Sequence, residues 1–81
     1  MVSEDLFEKE EEKELFNLGI ELEKLELEEF SKYIEVLLKN ANVINNYIDN
    51  IKINTEDEKI KNNRVATLKK LEKSIDKMIS I

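Results

Sequence analysis

Apolar residues recur at every third or fourth position over most of this chain, which is the spacing of one face of an α-helix. The first of three such stripes consists of Leu15, Leu18, Leu22 and Leu25, flanked by Phe16 and Ile20. The second consists of Leu27, Phe30, Ile34, Leu37, Ala41, Ile44, Ile48 and Ile51. The third consists of Ile60, Arg64, Leu68, Leu71, Ile75 and Met78, with Val65 and Ile79 beside it. The pattern predicts an all-α fold, a small antiparallel bundle of three to four helices joined by short loops.

Weak helix formers predict where these stripes are interrupted. The second stripe alone would allow one helix from residue 27 to residue 50, but Asn40 and Asn42 favour caps and turns over helix interiors. We therefore predict a break near residues 39–42. Gly19 lies inside the first stripe, where it costs about 1 kcal/mol relative to Ala unless a neighbouring helix needs close approach there.

The start of the last helix carries a capping signal. Thr55 is followed three residues later by Glu58, which is the spacing of a capping box, and Asn54 is an alternative cap. Acidic residues in the same turn stabilise the start of a helix, because the helix dipole is positive there. We predict that the last helix runs from residue 55 to residue 79.

Residues 1–14 form a strongly charged segment. Ser3 is a candidate N-cap, and the stretch from Glu8 to Glu14 is almost wholly charged. Such a stretch is typical of a solvated helix face or a frayed lead-in. We therefore predict a charged lead-in at 1–14, partly helical or frayed, and a helical domain fragment at 15–81.

The composition excludes several classes of chemistry. The chain has no cysteine and no histidine, which removes disulfides, the usual zinc sites and the commonest general base. Glu8 with Glu12, and Glu10 with Glu14, lie one helical turn apart, but they have no histidine partner and no apolar wall around them. We predict no catalytic residue, no metal site and no cofactor in this chain.

Two sequence features bear on the compartment. No apolar run approaches the roughly 20 residues needed to span a bilayer, and the acidic N-terminal segment is unlike a signal or transit peptide. The sequence therefore predicts no membrane segment and a cytoplasmic location.

Charge is distributed unevenly along the chain, whose net charge is −6. Acidic residues dominate positions 1–42, whereas basic residues are in slight excess over 43–81 and concentrate on the last predicted helix. Lysines suit phosphates, and a tyrosine can stack on an unpaired base. The candidate nucleic-acid contacts are Tyr47, Lys59, Arg64, Lys70, Lys73 and Lys77. Solvated side chains at the core edge are the alternative, and for Arg64 an ion pair with a carboxylate there.

Residues 47–71 resemble the C-terminal signature of the bacterial glycyl-tRNA synthetase beta subunit, from enzymes of the alpha/beta type. That family shows an aromatic pair followed by Asp, a Val-x-Val segment, Ala-Glu-Asp, and a helix with Asn-Arg-Leu and a leucine-rich finish. The matching positions here are Asp49, Ile51, Ile53, Glu56, Asp57, Asn63, Arg64, Leu68 and Leu71. The chain departs from the pattern at Ile48, which replaces an aromatic residue, and at Val65, which replaces Leu.

The resemblance implies a helical anticodon-binding domain, DALR-like and related to that of arginyl-tRNA synthetase. Such a domain would help to bind and position the tRNA anticodon arm, while the alpha subunit carries out aminoacylation with ATP and magnesium. The implied partners are a glycine tRNA, the rest of the beta subunit and the alpha subunit. On this interpretation Met1 is an introduced start, and residues 1–14 lead in from a preceding part. The structural residues of the motif are Asp49, Glu56, Asp57, Asn63 and Arg64. Among them, the acidic residues would fix the turn into the last helix by capping it, and Arg64 would close the same corner by a buried ion pair.

Two other functions stay open at this stage. The apolar stripes would also suit a free-standing helical module that binds another protein. The lysines would suit a nucleic-acid-binding module unrelated to synthetases, which would show no preference for one tRNA.

Overall fold

The computed structural model describes residues 2–79, apart from the side chains of Leu27 and Ile79. Met1 and the side chains at those two stripe positions lie outside the described part. The elements in chain order are a 3-10 turn at Glu4–Leu6, α1 at Glu10–Glu23, a 3-10 turn at Leu27–Glu29, α2 at Phe30–Lys39, α3 at Ala41–Asn50 and α4 at Glu58–Ile79. Residues 2–79 contain no strand, so the predicted all-α class and number of helices are confirmed.

The helices form an up-down-up arrangement in which α2 and α3 together make the descending leg. Lys9, immediately before α1, donates to the carbonyl of the last residue of α3, so these two helices are antiparallel. Near the beginnings of α1 and α4 Glu12 meets Arg64, and just beyond the end of α1 Leu25 meets Lys77. The predicted antiparallel order therefore applies to successive legs, whereas the first and last legs run parallel.

The break between α2 and α3 lies at Asn40, which confirms the predicted interruption. Its backbone N–H and its side-chain Nδ2 both donate to the carbonyl of Val36, at 3.1 and 2.9 Å. The backbone of Asn40, at φ −109° and ψ 19°, departs from helical geometry. The descending leg is therefore made of two separately oriented helices.

The core is built on α1, whose predicted leucine stripe is buried throughout. The four leucines of the stripe, of which Leu25 lies just beyond the end of α1, expose 7% of their surface or less. Burying one leucine side chain stabilises a fold by about 1.5–3 kcal/mol. The other buried apolar residues are Tyr33, Tyr47, Ile51, Leu71 and Met78.

The second predicted stripe is wrong in part. Phe30, Ile34 and Ile48 were expected to face the core, but all three are exposed, Ile48 to 68%. Tyr33 and Tyr47 take the core-facing positions instead. Both faces of α2 and α3 carry large apolar or aromatic residues, so spacing alone could not decide which face turns inwards.

The helix α4 meets α1 through small and polar side chains. Ser74 is buried and donates through Oγ to the carbonyl of Gly19 at 3.3 Å. A Cβ atom placed on Gly19 would lie 3.7 Å from Cγ of Lys70 and 3.9 Å from the backbone N of Leu71. The glycine therefore sits at a close approach of the two helices.

The start of α4 differs from the predicted capping box. Oδ1 of Asp57 accepts hydrogen bonds from the backbone N–H groups of Lys59 and Ile60, at 2.9 and 3.3 Å. Thr55 instead donates through Oγ1 to the carbonyl of Asp57. The cap is thus Asp57, and α4 begins at Glu58 rather than at Thr55.

Candidate functional site

Arg64 joins three parts of the chain near the beginning of α4. Its Nε donates to Oε1 of Glu12 at 2.9 Å, and its Nη2 donates to Oε1 of Glu8 at 3.1 Å. Its Nη1 donates to the carbonyl of Lys52, in the loop before α4, at 2.6 Å. Arg64 is only 4% exposed, so the ion pair proposed for it from the sequence is present and buried.

Glu12 is the partner that the sequence did not reveal. Its Oε2 also accepts from the backbone N–H groups of Glu8 and Lys9, at 2.8 and 3.0 Å, which caps the start of α1. Burial by itself would raise the pKa of Glu12, but the hydrogen bonds from Arg64 and from these two amides outweigh it. The pKa therefore lies below its ordinary value. The same hydrogen bond to Glu12 raises the pKa of Arg64.

The prediction of a solvated charged face over residues 8–14 is consequently wrong at Glu12, which is 1% exposed. A signal was present in the spacing. Glu12 stands three positions before Leu15, and so it continues the buried leucine stripe by one step. Glu12, on the stripe of α1, and Arg64, on the stripe of α4, therefore form an ion pair. The proposed division at residue 14 stays a prediction.

Tyr47 is buried beside this ion pair. Its hydroxyl donates to the backbone carbonyl of Arg64 at 3.2 Å, and the residue is 2% exposed. Burial raises the pKa of Tyr47 to about 12, and the carboxylate of Glu12 adds to the effect. Tyr47 and Arg64 were both predicted to contact tRNA. Their side chains are instead enclosed by the fold, which corrects that prediction because a ligand outside could not reach them.

Asn63 ties the N-terminal segment to α4. Its Oδ1 accepts from the backbone N–H of Ser3 at 2.6 Å, and its Nδ2 donates to the carbonyl of the same residue at 2.9 Å. Ser3 makes no capping bond with its own side chain. The sequence motif Asn63-Arg64 therefore holds residues before α1 at two points, through Ser3 and through Glu8.

The acidic members of the motif behave differently from one another. Asp57 caps α4, as a structural role predicts. Asp49 and Glu56 are exposed, and within residues 2–79 neither side chain makes a hydrogen bond. The structural interpretation thus accounts for Asp57, Asn63 and Arg64, and it leaves Asp49 and Glu56 without a contact that explains them.

Two of the predicted tRNA-binding lysines make hydrogen bonds to residues at the end of α1. Nζ of Lys70 lies 2.7 Å from Oε2 of Glu23, and this hydrogen bond lowers the pKa of the carboxyl. Nζ of Lys77 donates to the carbonyls of Glu23 and Leu25, at 3.3 and 2.9 Å. Both cations stand where the helix dipole is negative, which stabilises α1.

The other two predicted lysines are exposed. Lys59 lies in the first turn of α4 and Lys73 lies further along the same helix. Within the described residues neither ammonium group has a salt bridge or a hydrogen bond from its side chain. Both remain accessible to an external anion, and their proposed contact with tRNA stays a prediction.

A groove of about 420 Å³ runs between α1 and α4, open to solvent on one side. Its lining residues are Val2, Phe16, Glu23, Ala66, Lys69, Lys70 and Lys73. The ring of Phe16 packs edge-on against Phe7 at 5.7 Å between centroids, and Nζ of Lys70 stands 5.8 Å from its centre. Phe16 and Lys69 were absent from the predicted site, although Lys69 directly precedes one of its members.

Large apolar residues are also exposed on the descending leg. Phe30, Ile34 and Leu38 follow one another at intervals of four along α2, and Ile48 lies on α3. Leu38 is 73% exposed and Ile48 is 68% exposed. Large apolar side chains grouped on one leg in this way are typical of a protein contact surface.

Two other kinds of feature are absent from residues 2–79. No group of three or more acidic side chains is placed so that it could hold a metal ion. None of the described helices has the length and apolar character that crossing a membrane requires.

Comparison with known proteins yields one kind of relative. The chain is 38% identical over 85 residues to the glycine–tRNA ligase beta subunit of Thermodesulfovibrio yellowstonii, a match that covers 95% of this chain and 12% of the relative. It is 41% identical over 71 residues to the beta subunit of Aquifex aeolicus, covering 88% of this chain and 10% of that one. For Halothermothrix orenii the identity is 32%, over 99% of this chain and 12% of the relative.

The chain therefore spans about a tenth of the length of the curated relatives it matches. No family model matches it, and no solved structure matches it.

Proposed function

Because the chain belongs to the glycine–tRNA ligase beta subunit family over almost its whole length, we propose that it helps to bind and position the anticodon arm of tRNA. The observation that carries the proposal is this sequence relationship, at 32–41% identity to the beta subunits of three bacteria. The chain corresponds to part of a ligase and not to a catalytic unit in itself. Under the proposal, aminoacylation with ATP and magnesium takes place on the alpha subunit.

The exposed lysines of α4 support contact with nucleic acid. The chain as a whole carries a net charge of −6, so a general attraction to phosphate is not expected. Lys59 and Lys73 are nevertheless exposed on one helix, and within the described residues neither makes a salt bridge. A local contact of this kind suits an unpaired loop, in which phosphates position the RNA and the bases are read by stacking and by their edges. Work on tRNA would place the protein in the cytoplasm.

The direct test is fluorescence anisotropy of the whole chain with labelled glycine tRNA and with a control tRNA that has a different anticodon. The two tRNAs are compared at low and at moderate salt. Tighter binding of the glycine tRNA that persists at moderate salt is the expected result. Equal binding of both that disappears with salt would reflect phosphate attraction alone and would contradict the proposal.

The exposed apolar face supports a second contact, with another segment of a beta subunit. The face consists of Phe30, Ile34 and Leu38, at intervals of four along α2. The matched relatives extend far beyond the part that this chain covers, so they contain further polypeptide that could pack on this face. The same surface favours the alternative of a protein-binding module in one specific form, a contact within the ligase.

This contact is tested by mixing the chain with a relative's beta subunit from which the matching segment has been removed. Sedimentation should detect a complex with the wild type and a much weaker one with Leu38→Glu. Glu35→Gln, an exposed change on the same helix, should bind like the wild type. A complex of equal strength with Leu38→Glu would contradict the assignment of this face.

A further inference from the structure

We propose that the groove between α1 and α4 receives a single unpaired nucleotide, with its base against Phe16 and its phosphate between Lys69 and Lys73. The inference rests on the proposed function and deepens it, because it says where the RNA is held. Neither Phe16 nor Lys69 belongs to the sequence motif that the family resemblance singled out.

The charge of the groove favours an anion. Four charged residues line it, and Lys70 and Glu23 neutralise each other at 2.7 Å. Lys69 and Lys73 remain, both exposed and both without a salt bridge among the described residues. The groove is therefore locally basic in a chain whose net charge is −6.

The spacing of the two lysines fits one phosphate. Lys69 and Lys73 are four positions apart on α4, so they lie on one face of the helix, with about 5–6 Å between their Cβ atoms. Two flexible ammonium groups at this separation can approach the same phosphate from opposite sides. A run of phosphates is not required to satisfy them.

The opposite wall of the groove favours a base. Phe16 is half-buried, and its ring is held by Phe7 on one edge and by Lys70 above it. Ala66, one turn before Lys69 and Lys70, also lines the groove and contributes only a methyl group to it. An aromatic side chain next to cationic groups is the usual platform for a base in single-stranded RNA, and stacking there tolerates any base.

The size and openness of the groove suit a nucleotide within a strand. Its volume of about 420 Å³ lies within the range of roughly 300–1,000 Å³ found for small-molecule sites. Since one side is open, the neighbouring nucleotides can leave the groove without a break in the RNA chain. An acidic peptide would use the lysines but would not need the ring, which separates that alternative experimentally.

The test compares three probes by fluorescence anisotropy on the whole chain. They are glycine tRNA, a polyphosphate chain without bases and an oligoglutamate peptide. Lys69→Glu with Lys73→Glu should weaken tRNA binding at least about tenfold, because two cations of the site are reversed. Phe16→Leu should weaken tRNA binding about tenfold and leave polyphosphate binding unchanged, because only a base uses the ring.

The matched control is Lys32→Glu with Lys39→Glu, which makes the same change of charge on α2, outside the groove. The affinity of this variant for tRNA should fall only through the change of net charge, by about twofold or less. Circular dichroism verifies that each variant keeps its helices, and the lysine variants keep the test valid if Phe16→Leu does not fold.

The outcomes separate the inference from the function on which it rests. If wild-type and groove variants bind glycine tRNA equally well, the groove is not the site, while the proposed function stands. If groove and control variants lose affinity equally, only net charge matters and the inference is wrong. Tighter binding of oligoglutamate than of tRNA would also overturn it, and absence of tRNA binding by the wild type would overturn both proposals.

Discussion

Nε of Arg64 lies 2.9 Å from Oε1 of Glu12, and this bond joins two helices across 52 positions of the chain. The side chains of the two residues are 5% and 1% exposed. A buried charge is costly unless its remaining hydrogen-bonding groups are also satisfied. Here the carbonyl of Lys52 and the carboxylate of Glu8 accept the remaining hydrogen bonds of Arg64. The backbone amides of Glu8 and Lys9, just before α1, donate to Glu12.

Removing either partner of this pair should strongly destabilise the fold. Glu12→Leu and Arg64→Met each leave an uncompensated buried charge, and each should lower the free energy of unfolding by about 3–5 kcal/mol. The double variant should lose less than the two single losses added together, because no charge remains buried. Urea unfolding followed by circular dichroism measures all four proteins, and strictly additive losses would show that the pair is not coupled.

Stability should fall in acid partly through Glu12. Its folded-state pKa is below the ordinary value of 4.5, so the folded protein binds this proton less tightly than the unfolded chain does. The resulting stabilisation is present above about pH 4.5 and is lost as the pH falls through the lowered pKa. Glu12→Gln should therefore show a shallower acid loss than the wild type. Glu21→Gln, an exposed change on the same helix, should follow the wild type in urea unfolding at each pH.

Stability should also fall in alkali through Tyr47. Burial raises its pKa from 10.0 to about 12, so above pH 10 the unfolded chain gives up this proton before the folded protein does. The contribution is complete below about pH 10 and is lost as the pH rises towards about 12. Tyr47→Phe should reduce this alkaline loss, and at neutral pH it should cost about 1 kcal/mol through the missing bond to Arg64. A spectroscopic titration in which every tyrosinate forms near pH 10 would contradict the prediction.

Gly19→Ala should stabilise the protein by up to about 1 kcal/mol, because alanine is the better helix former. The new Cβ would make only ordinary contacts, at 3.7 Å and more, with atoms of α4. Gly19→Val is the matched variant with further methyl groups, and it should destabilise by about 1–3 kcal/mol through overpacking. Thermal unfolding ranks the three proteins. A lower midpoint for Gly19→Ala than for the wild type would contradict the prediction.

Local features of the fold could be predicted from residue type and spacing. The leucine stripe of α1 is buried, and the break falls at Asn40, because both depend on preferences that act within one or two turns. The predicted cap of α4, Thr55, was wrong, although the actual cap, Asp57, lies within one helical turn of it. Thr55 and Asp57 are both good capping residues, and the path of the preceding loop decides between them.

The candidate site was likewise predictable from the sequence only in part. The sequence predicted that α4 is rich in lysine. Which of these lysines bind carboxylates or carbonyls of α1 depended on where α1 ends. Lys70 and Lys77 reach Glu23 and its carbonyl only because α1 and α4 run parallel. Phe16 enters the groove for the same reason, and no local pattern distinguishes it from another residue beside the leucine stripe.

Composition and short-range periodicity were thus sufficient for the helical class and the break in the descending leg, while the relationship to a ligase subunit was indicated by the motif within residues 47–71. They act over a few residues, where backbone geometry translates spacing directly into a shared face. The pairing of Glu12 with Arg64, the inward turn of Tyr33 and Tyr47, and the free cations of the groove were decided only in the folded molecule. Each depends on distances between residues far apart in the chain, and the packing of whole helices sets those distances.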